Sequence, residues 1–144
     1  MTEPQARVPA AQRVVVNVDG GSRGNPGPAA IAAIASTPDG EVLAERTATI
    51  GVATNNVAEY RALLLGIELA RELDAADVTF IGDSELIVRQ VQGRYKVKDA
   101  GLRPLHAEVS AALRGLESWS IEHVRREQNA AADALVNQAL DGAI

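Results

Sequence analysis

Four acidic residues occur where the chain changes from one expected element to the next: Asp19, Glu59, Asp83 and Asp133. Carboxylates are the ligands that hard divalent cations prefer in proteins. Carboxylates brought close together are costly unless a cation or a proton lies between them. The contexts of these residues, more than their number, predict one metal-binding carboxylate cluster.

Asp19 and Asp83 have similar surroundings. Asp19 follows a valine-rich run and is followed at once by glycines, and Asp83 follows the apolar run in VTFIG. Each run predicts a strand that ends in a turn, over 13–19 and 77–82. If the two strands are neighbours in one sheet, the two carboxylates lie close together. The alternatives are an Asx turn at Asp19 and a helix N-cap at Asp83.

Glu59 and Asp133 both lie in expected helices. Asn56 and Glu59 fit a capping box, with Asn56 as the N-cap. Glu59 also shares the apolar stripe of its helix with Leu63, and a carboxylate on the core-facing side needs a partner. Asp133 borders the packed face of the last helix, and its alternative role is that of an acid complementing the helix dipole.

The four motifs resemble ribonuclease H type 1 over nearly the whole chain, from Arg13 to Leu140. They are DGGSRGNPGPAA, TNNVAEYRALLLGIELA, GDSELIVRQVQGRYKVK and REQNAAADALVNQAL, in the order of that family. The resemblance implies an α/β fold with a five-stranded mixed sheet and helices on both faces. It also implies cleavage of the RNA strand of RNA–DNA hybrids with two magnesium or manganese ions. The implied metal ligands are Asp19, Glu59, Asp83 and Asp133.

Two carboxylate-bound cations can activate a water for in-line attack on a phosphodiester and stabilise the departing 3′-oxygen. Such chemistry needs no protein nucleophile, in agreement with a chain that has no cysteine and no evident Ser/His/Asp arrangement. Because magnesium keeps several waters and is usually held by few carboxylates plus substrate phosphate, we expect weak metal binding until the hybrid arrives.

Substrate contacts are also implied by the resemblance. In that interpretation Thr54 touches a DNA-strand phosphate, and the minor-groove contacts come from Gly20, Gly21, Asn25, Asn55 and Asn56. RNA is distinguished by its 2′-hydroxyls, and glycine lets the backbone approach closely. The alternatives are a turn at Asn25 and a helix cap from Asn55 or Asn56.

The chain departs from better-known members of the family at two places. The loop before the last helix lacks a histidine, and Arg125 or Arg126 is the candidate to steer the scissile phosphate there. His123 is expected to be a packed or edge residue and His106 a structural one. The basic protrusion of some members is also missing, which leaves a small cationic surface formed by Arg94, Tyr95, Lys96, Lys98 and Arg103. For Arg125 or Arg126 the alternative is a solvated charge pair. For the cationic surface the alternative is a solvated connector.

Composition agrees with one small domain. The chain has 144 residues and is 47% hydrophobic, which is enough for one packed core. Its net charge of -5 argues more strongly against nonspecific DNA binding than against metal-dependent cleavage. We expect a mobile leader over 1–12 and one ribonuclease H-like domain over 13–141. Absence of cysteine is compatible with a cytoplasmic location. No membrane contact is expected, and we predict a monomer that is either whole or part of a longer protein.

The expected elements are strands at 13–19, 28–36, 41–50, 77–82 and 118–124 and helices at 56–73, 84–91, 102–115 and 129–140. A hairpin turn is expected at Pro38-Asp39-Gly40.

Three functions are consistent with the sequence. They are a hybrid-cleaving endoribonuclease, another nuclease or strand transferase of the same fold acting on DNA, and a noncatalytic hybrid-binding module.

Overall fold

The computed structural model describes residues 13–142, which form a five-stranded mixed sheet with α-helices on both faces. The predicted leader over 1–12 lies outside the described residues. The elements, in chain order, are β1 (Arg13–Ser22), β2 (Gly27–Ser36), β3 (Val42–Ala53), α1 (Asn55–Glu72), β4 (Asp77–Gly82), α2 (Glu85–Val91), α3 (Arg103–Leu113), β5 (Ser118–His123), a 3-10 helix (Arg126–Asn129) and α4 (Ala130–Gly142).

The strands lie in the order β3-β2-β1-β4-β5. The three strands of the β1–β2–β3 meander pair antiparallel, whereas β4 pairs parallel with both β1 and β5. The predicted order of elements and the hairpin between the second and third strands are confirmed. Strand β1 was predicted to end at Asp19, and this boundary is wrong because antiparallel pairing with β2 continues to Ser22.

The sheet is covered differently on its two faces. The larger core lies between the sheet and α1 and includes the inward-facing valines of β1 and Phe80 of β4. The smaller core joins α4 to β2 through Ala30, Ala32, Val136 and Leu140. Small side chains along β2 let both helices approach the sheet closely. Both α1 and α4 are thereby held at fixed positions relative to β1.

The N-caps of α1 and α2 differ from the residues that the sequence suggested for these positions. Thr54, not Asn56, is the N-cap of α1, because its extended backbone lets its Oγ1 accept the N–H of Val57 at 3.2 Å. Ser84, not Asp83, caps α2, and its Oγ accepts the N–H of Ile87 at 3.4 Å. The carboxylate of Asp83 is therefore not used as the N-cap of α2.

Helix length and hydropathy bear on one further expectation. None of the helices found in residues 13–142 combines the length and the apolar character that a membrane-spanning helix requires.

The contact between α1 and β1 depends on Gly66. A Cβ atom at this position would lie 2.6 Å from Val18 Cγ1 and 3.0 Å from Val16 Cγ1. We predict that Gly66→Ala lowers the free energy of unfolding by about 1–2 kcal/mol, because overpacking outweighs the better helix propensity of alanine. Urea denaturation measures this change. Arg61→Ala, at an exposed position of α1, is the control, and equal stabilities of the two variants would contradict the prediction.

Candidate metal centre

Three of the four predicted acids meet at one edge of the sheet. One carboxylate oxygen from each of Asp19, Glu59 and Asp83 lies within 4.8 Å of the other two. The parallel register of β1 and β4, which places Asn17 opposite Ile81, directs the two following segments to the same place. The predicted proximity of Asp19 and Asp83 is therefore confirmed by the geometry of neighbouring parallel strands.

Glu59 reaches this cluster because α1 crosses close to β1. A Cβ atom at Gly20 would lie 2.2 Å from the carbonyl oxygen of Ala58, so only glycine permits this separation of the two backbones. The N–H of Gly20 donates to Glu59 Oε1 at 3.1 Å. The capping-box alternative for Glu59 is therefore wrong, because its carboxylate accepts from β1 instead of from the start of its own helix.

Asp133 lies beside the group of three, in the first turn of α4. Its carboxylate is close enough to Asp19 to form a hydrogen bond when one of the two is protonated. Asn137 Nδ2 donates to Asp133 Oδ2 at 3.3 Å, and Arg126 Nη2 lies 3.9 Å from Asp133 Oδ1. Asp133 thus faces the cluster from the side of α4 and is also more exposed than Asp19, at 32% of its side chain against 5% of the residue.

Burial and crowding make the ionised cluster unfavourable. Burial is the largest cause that raises the pKa of Asp19 from 3.8 to about 8, followed by the charges of Asp83 and Asp133. Burial likewise raises the pKa of Glu59 well above its ordinary value, with further contributions from Asp19 and Asp83. The charge of Arg126 acts in the opposite direction on both pKa values. Buried, clustered oxygen donors of this kind fit magnesium or manganese, which would replace the missing positive charge.

The predicted minor-groove residues lie on two segments that are joined by hydrogen bonds: the end of β1 with the loop after it, and the start of α1. The N–H of Asn55 donates to Asn25 Oδ1 at 2.9 Å, and the N–H of Ser22 donates to Asn55 Oδ1 at 3.2 Å. Asn25, Thr54 and Asn56 also line one cavity of about 320 Å³. Gly20 and Gly21 follow Asp19 within β1. The structure therefore brings the predicted substrate residues together next to the acidic cluster.

The reduced cationic surface lies between α2 and α3. Arg94, Tyr95 and Lys96 are exposed, and the guanidinium of Arg89 lies 5.8 Å from the centre of the Tyr95 ring. Lys96 and Arg103 line a cavity of about 400 Å³. These side chains are open to a ligand, but they belong to a different surface from the carboxylates.

The two histidines have positions that agree with the expectations for them. His106 is partly buried, with Nε2 at 3.1 Å from the carbonyl oxygen of Gln90 and its ring edge-on to Tyr60. His123 is exposed at the end of the edge strand β5. Of the two arginines in the histidine-free loop, Arg126 approaches Asp133, whereas the N–H of Arg125 binds Gln128 Oε1 at 3.2 Å.

One residue beside the cluster was missed by the sequence analysis. Asn129 is only 2% exposed, and its amide contacts Asp83, the carbonyl of Val18 and the side chain of Asn17. One signal was present: Asn17 interrupts a run of valines two positions before Asp19, on the same face of the expected strand. A polar side chain within an otherwise apolar run predicts a hydrogen-bond partner in the protein interior.

Comparison with known proteins gives consistent results. A family model described as reverse transcriptase-like matches residues 17–139. Ribonuclease HI of Halobacterium salinarum is 45% identical over 131 residues, which are 91% of this chain and 66% of that protein. Its crystal structure gives a TM-score of 0.88 over 90% of this chain and 98% of the crystallised chain.

Two further relatives are informative. The bifunctional protein Rv2228c of Mycobacterium tuberculosis is 46% identical over 132 residues, which are 91% of this chain and 36% of that protein. LC11-RNase H1, which comes from compost, has been solved in complex with an RNA/DNA hybrid. It is 41% identical and gives a TM-score of 0.87, with 90% of this chain and 98% of that chain covered.

The strand order and the acidic cluster at β1, β4 and α1 define a ribonuclease H-like protein. The chain spans less than two thirds of the length of the first curated relatives, at 66% and 36%. Within the matched region a sequence identity of 45% accompanies a TM-score of 0.88. The chain belongs to the ribonuclease H type 1 family.

The raised pKa of Asp19 predicts how stability depends on pH in the metal-free protein. The folded state holds this proton up to about pH 8, while the unfolded chain releases it near 3.8. The stability therefore falls as the pH rises through this window. We predict that Asp19→Asn raises the free energy of unfolding at pH 8 by about 1–3 kcal/mol and has little effect at pH 4.

Chemical denaturation with chelator at both pH values measures this difference, and Asp77→Asn at an exposed site of β4 is the control. Magnesium is expected to stabilise the wild type more at pH 8 than at pH 5, because protonated carboxylates bind cations poorly. A destabilised Asp19→Asn variant at pH 8 would contradict the account.

Proposed function

We propose that the chain is an endoribonuclease that hydrolyses the RNA strand of RNA–DNA hybrids with two magnesium or manganese ions. The observation that carries this proposal is the meeting of Asp19, Glu59 and Asp83 within 4.8 Å, with Asp133 beside them. The hybrid bound by the related LC11-RNase H1 supports the choice of substrate.

The four carboxylates are proposed to hold the cations. When bound, these ions would activate a water and stabilise the departing 3′-oxygen of the phosphodiester. The protein itself positions the ligands: the N–H of Gly20 holds the carboxylate of Glu59, and Asn137 Nδ2 holds that of Asp133. No serine or histidine nucleophile is required by this arrangement.

Hybrid recognition is assigned to the two joined segments beside the cluster, which are the end of β1 with its following loop and the start of α1. The bonds at Asn25 and Asn55 engage their side-chain carbonyl oxygens. This leaves amide donors for the minor groove, where 2′-hydroxyls and base edges offer acceptors. The remaining proposed contacts are made by Gly20, Gly21, Asn56 and, to a DNA-strand phosphate, Thr54.

A second, weaker contact is assigned to the cationic surface of Arg94, Tyr95 and Lys96. All three side chains are exposed, and we assign them to the phosphate backbone where the hybrid continues beyond the acidic cluster. With so few cations the number of neutralised phosphates is small, so we expect a shallow dependence of hybrid affinity on salt.

We also propose that the chain acts as a monomer in the cytoplasm, alone or fused to a further domain. The absence of cysteine is compatible with a reducing compartment. The greater length of the mycobacterial relative, of which this chain spans 36%, supports fusion as one form in which such a domain occurs.

Asp83→Asn tests the proposed role of the cluster. We predict that this variant loses RNA cleavage by at least about 100-fold, because a neutral amide is a poor ligand for magnesium, while the fold is retained. The measurement is a gel assay of strand-labelled hybrid, with circular dichroism to check folding. Asp77→Asn is the matched control, and wild-type turnover by Asp83→Asn would remove Asp83 from the mechanism.

The same gel separates the alternative functions when double-stranded RNA and double-stranded DNA are included. Cleavage of only the RNA strand of the hybrid supports the proposal. Cleavage of DNA would favour another nuclease or strand transferase of this fold, and hybrid binding without cleavage would favour a noncatalytic module.

Arg126, not Arg125, is proposed to act at the scissile phosphate in place of a loop histidine. Its guanidinium lies 3.9 Å from Asp133, and its charge lowers the pKa values of Asp19 and Glu59. We predict that Arg126→Ala lowers kcat about 10-fold, while Arg125→Ala changes it less than about 2-fold. Steady-state kinetics on hybrid measure both, and equal effects of the two substitutions would contradict this assignment.

A further inference from the structure

Asn129 is a buried amide whose three hydrogen bonds all lie next to the candidate metal centre. It ends the 3-10 helix before α4 and is 2% exposed. Its Nδ2 donates to the carbonyl oxygen of Val18 at 2.9 Å and to Asp83 Oδ2 at 3.4 Å. A buried amide is costly unless it is hydrogen-bonded, so these contacts restrict where the side chain can lie.

The contacts of Asn129 join the separate segments that carry three of the four carboxylates. Val18 directly precedes Asp19, Asp83 is contacted itself, and Asp133 lies one helical turn after Asn129. Glu59 is held separately by the N–H of Gly20. One side chain therefore bridges β1, the loop after β4 and the start of α4.

Asn17 determines which way the Asn129 amide faces. Asn17 Nδ2 donates to Asn129 Oδ1 at 2.9 Å. With Oδ1 engaged in this way, Nδ2 is directed to the carbonyl of Val18 and to Asp83. A donor aimed at a carboxylate restricts its rotamer, and a fixed orientation is what a metal ligand needs.

We propose that Asn129, oriented by Asn17, is a positioning residue that holds Asp83 against Asp19 in the arrangement required for a divalent cation. This inference rests on the proposed function, because it assigns metal binding to the acidic cluster. Asn129 acts through Asp83 and touches neither the substrate nor the reacting atoms. Its loss changes the affinity of the cluster for metal rather than the affinity of the protein for the hybrid.

The test compares Asn129→Ala and Asn17→Ala with the wild type and with Leu140→Ala. Leu140 is buried at the far end of α4, so its truncation weakens the packing of α4 without touching the carboxylates. Two quantities are measured for each protein. They are the magnesium concentration that gives the half-maximal rise in Tm without nucleic acid, and the magnesium dependence of hybrid cleavage.

We expect the magnesium midpoint to increase about 10-fold in Asn129→Ala and about 3-fold in Asn17→Ala. Leu140→Ala is expected to have a lower Tm but the same magnesium midpoint as the wild type. Excess magnesium should restore most of the cleavage by both asparagine variants, and KM for the hybrid should stay within about 2-fold of wild type. A purely structural role would lower Tm without moving the midpoint.

Unchanged midpoints in the asparagine variants would overturn the inference, as would an equal shift in Leu140→Ala. If Asn129→Ala does not fold, the midpoint of Asn17→Ala decides alone. A wild type that binds magnesium without cleaving hybrid refutes the proposed function, and the Tm midpoints then still decide the role of Asn129. If magnesium changes neither Tm nor cleavage of the wild type, both proposals are wrong.

Discussion

The concentration of carboxylates at the buried Asp19 and Glu59 and the half-buried Asp83 is the constraint on which the rest of the structure depends. Burial and mutual repulsion raise the pKa of Asp19 to about 8 and that of Glu59 well above its ordinary value. The fold must nevertheless keep these carboxylates together. Two features achieve this: the parallel register of β1 and β4, and the contact of α1 with the backbone at Gly20. A bound cation would offset the mutual repulsion of the ionised carboxylates, and it competes with protons for them.

Under the proposed function, the same arrangement explains how an acidic chain could act on a polyanion. The net charge is -5, but several acids are gathered where divalent cations would reverse the local sign. Arg126 lies beside Asp133, whereas Lys96 and Arg103 line a separate cavity on a different surface. In the proposed function this charge distribution favours metal-dependent cleavage over tight holding of nucleic acid.

Much of the site could be predicted from sequence because Asp19 and Asp83 follow recognisable apolar runs. The apolar runs before Asp19 and Asp83 predicted two strands, and their proximity needed only that these strands be neighbours. The N-cap of α1 was assigned incorrectly because Thr54, Asn55 and Asn56 are all good caps. Only the bond from the N–H of Val57 to Thr54 Oγ1 identifies Thr54 as the cap, and Asn55 instead contacts Ser22 and Asn25. The pairing of Asn17 with Asn129 joins residues 112 positions apart, and no local pattern specifies such a contact.

The central claim is that carboxylate-held cations direct water at the RNA strand of a hybrid. The most direct measurement is to incubate the wild type with hybrid labelled on each strand, in magnesium, in chelator, and in chelator followed by excess magnesium, and to identify the ends of the products. The account predicts RNA fragments with 3′-hydroxyl and 5′-phosphate ends that disappear in chelator and return with magnesium, while the DNA strand stays intact. Cleavage that persists in chelator, or products ending in 2′,3′-cyclic phosphate, would contradict it.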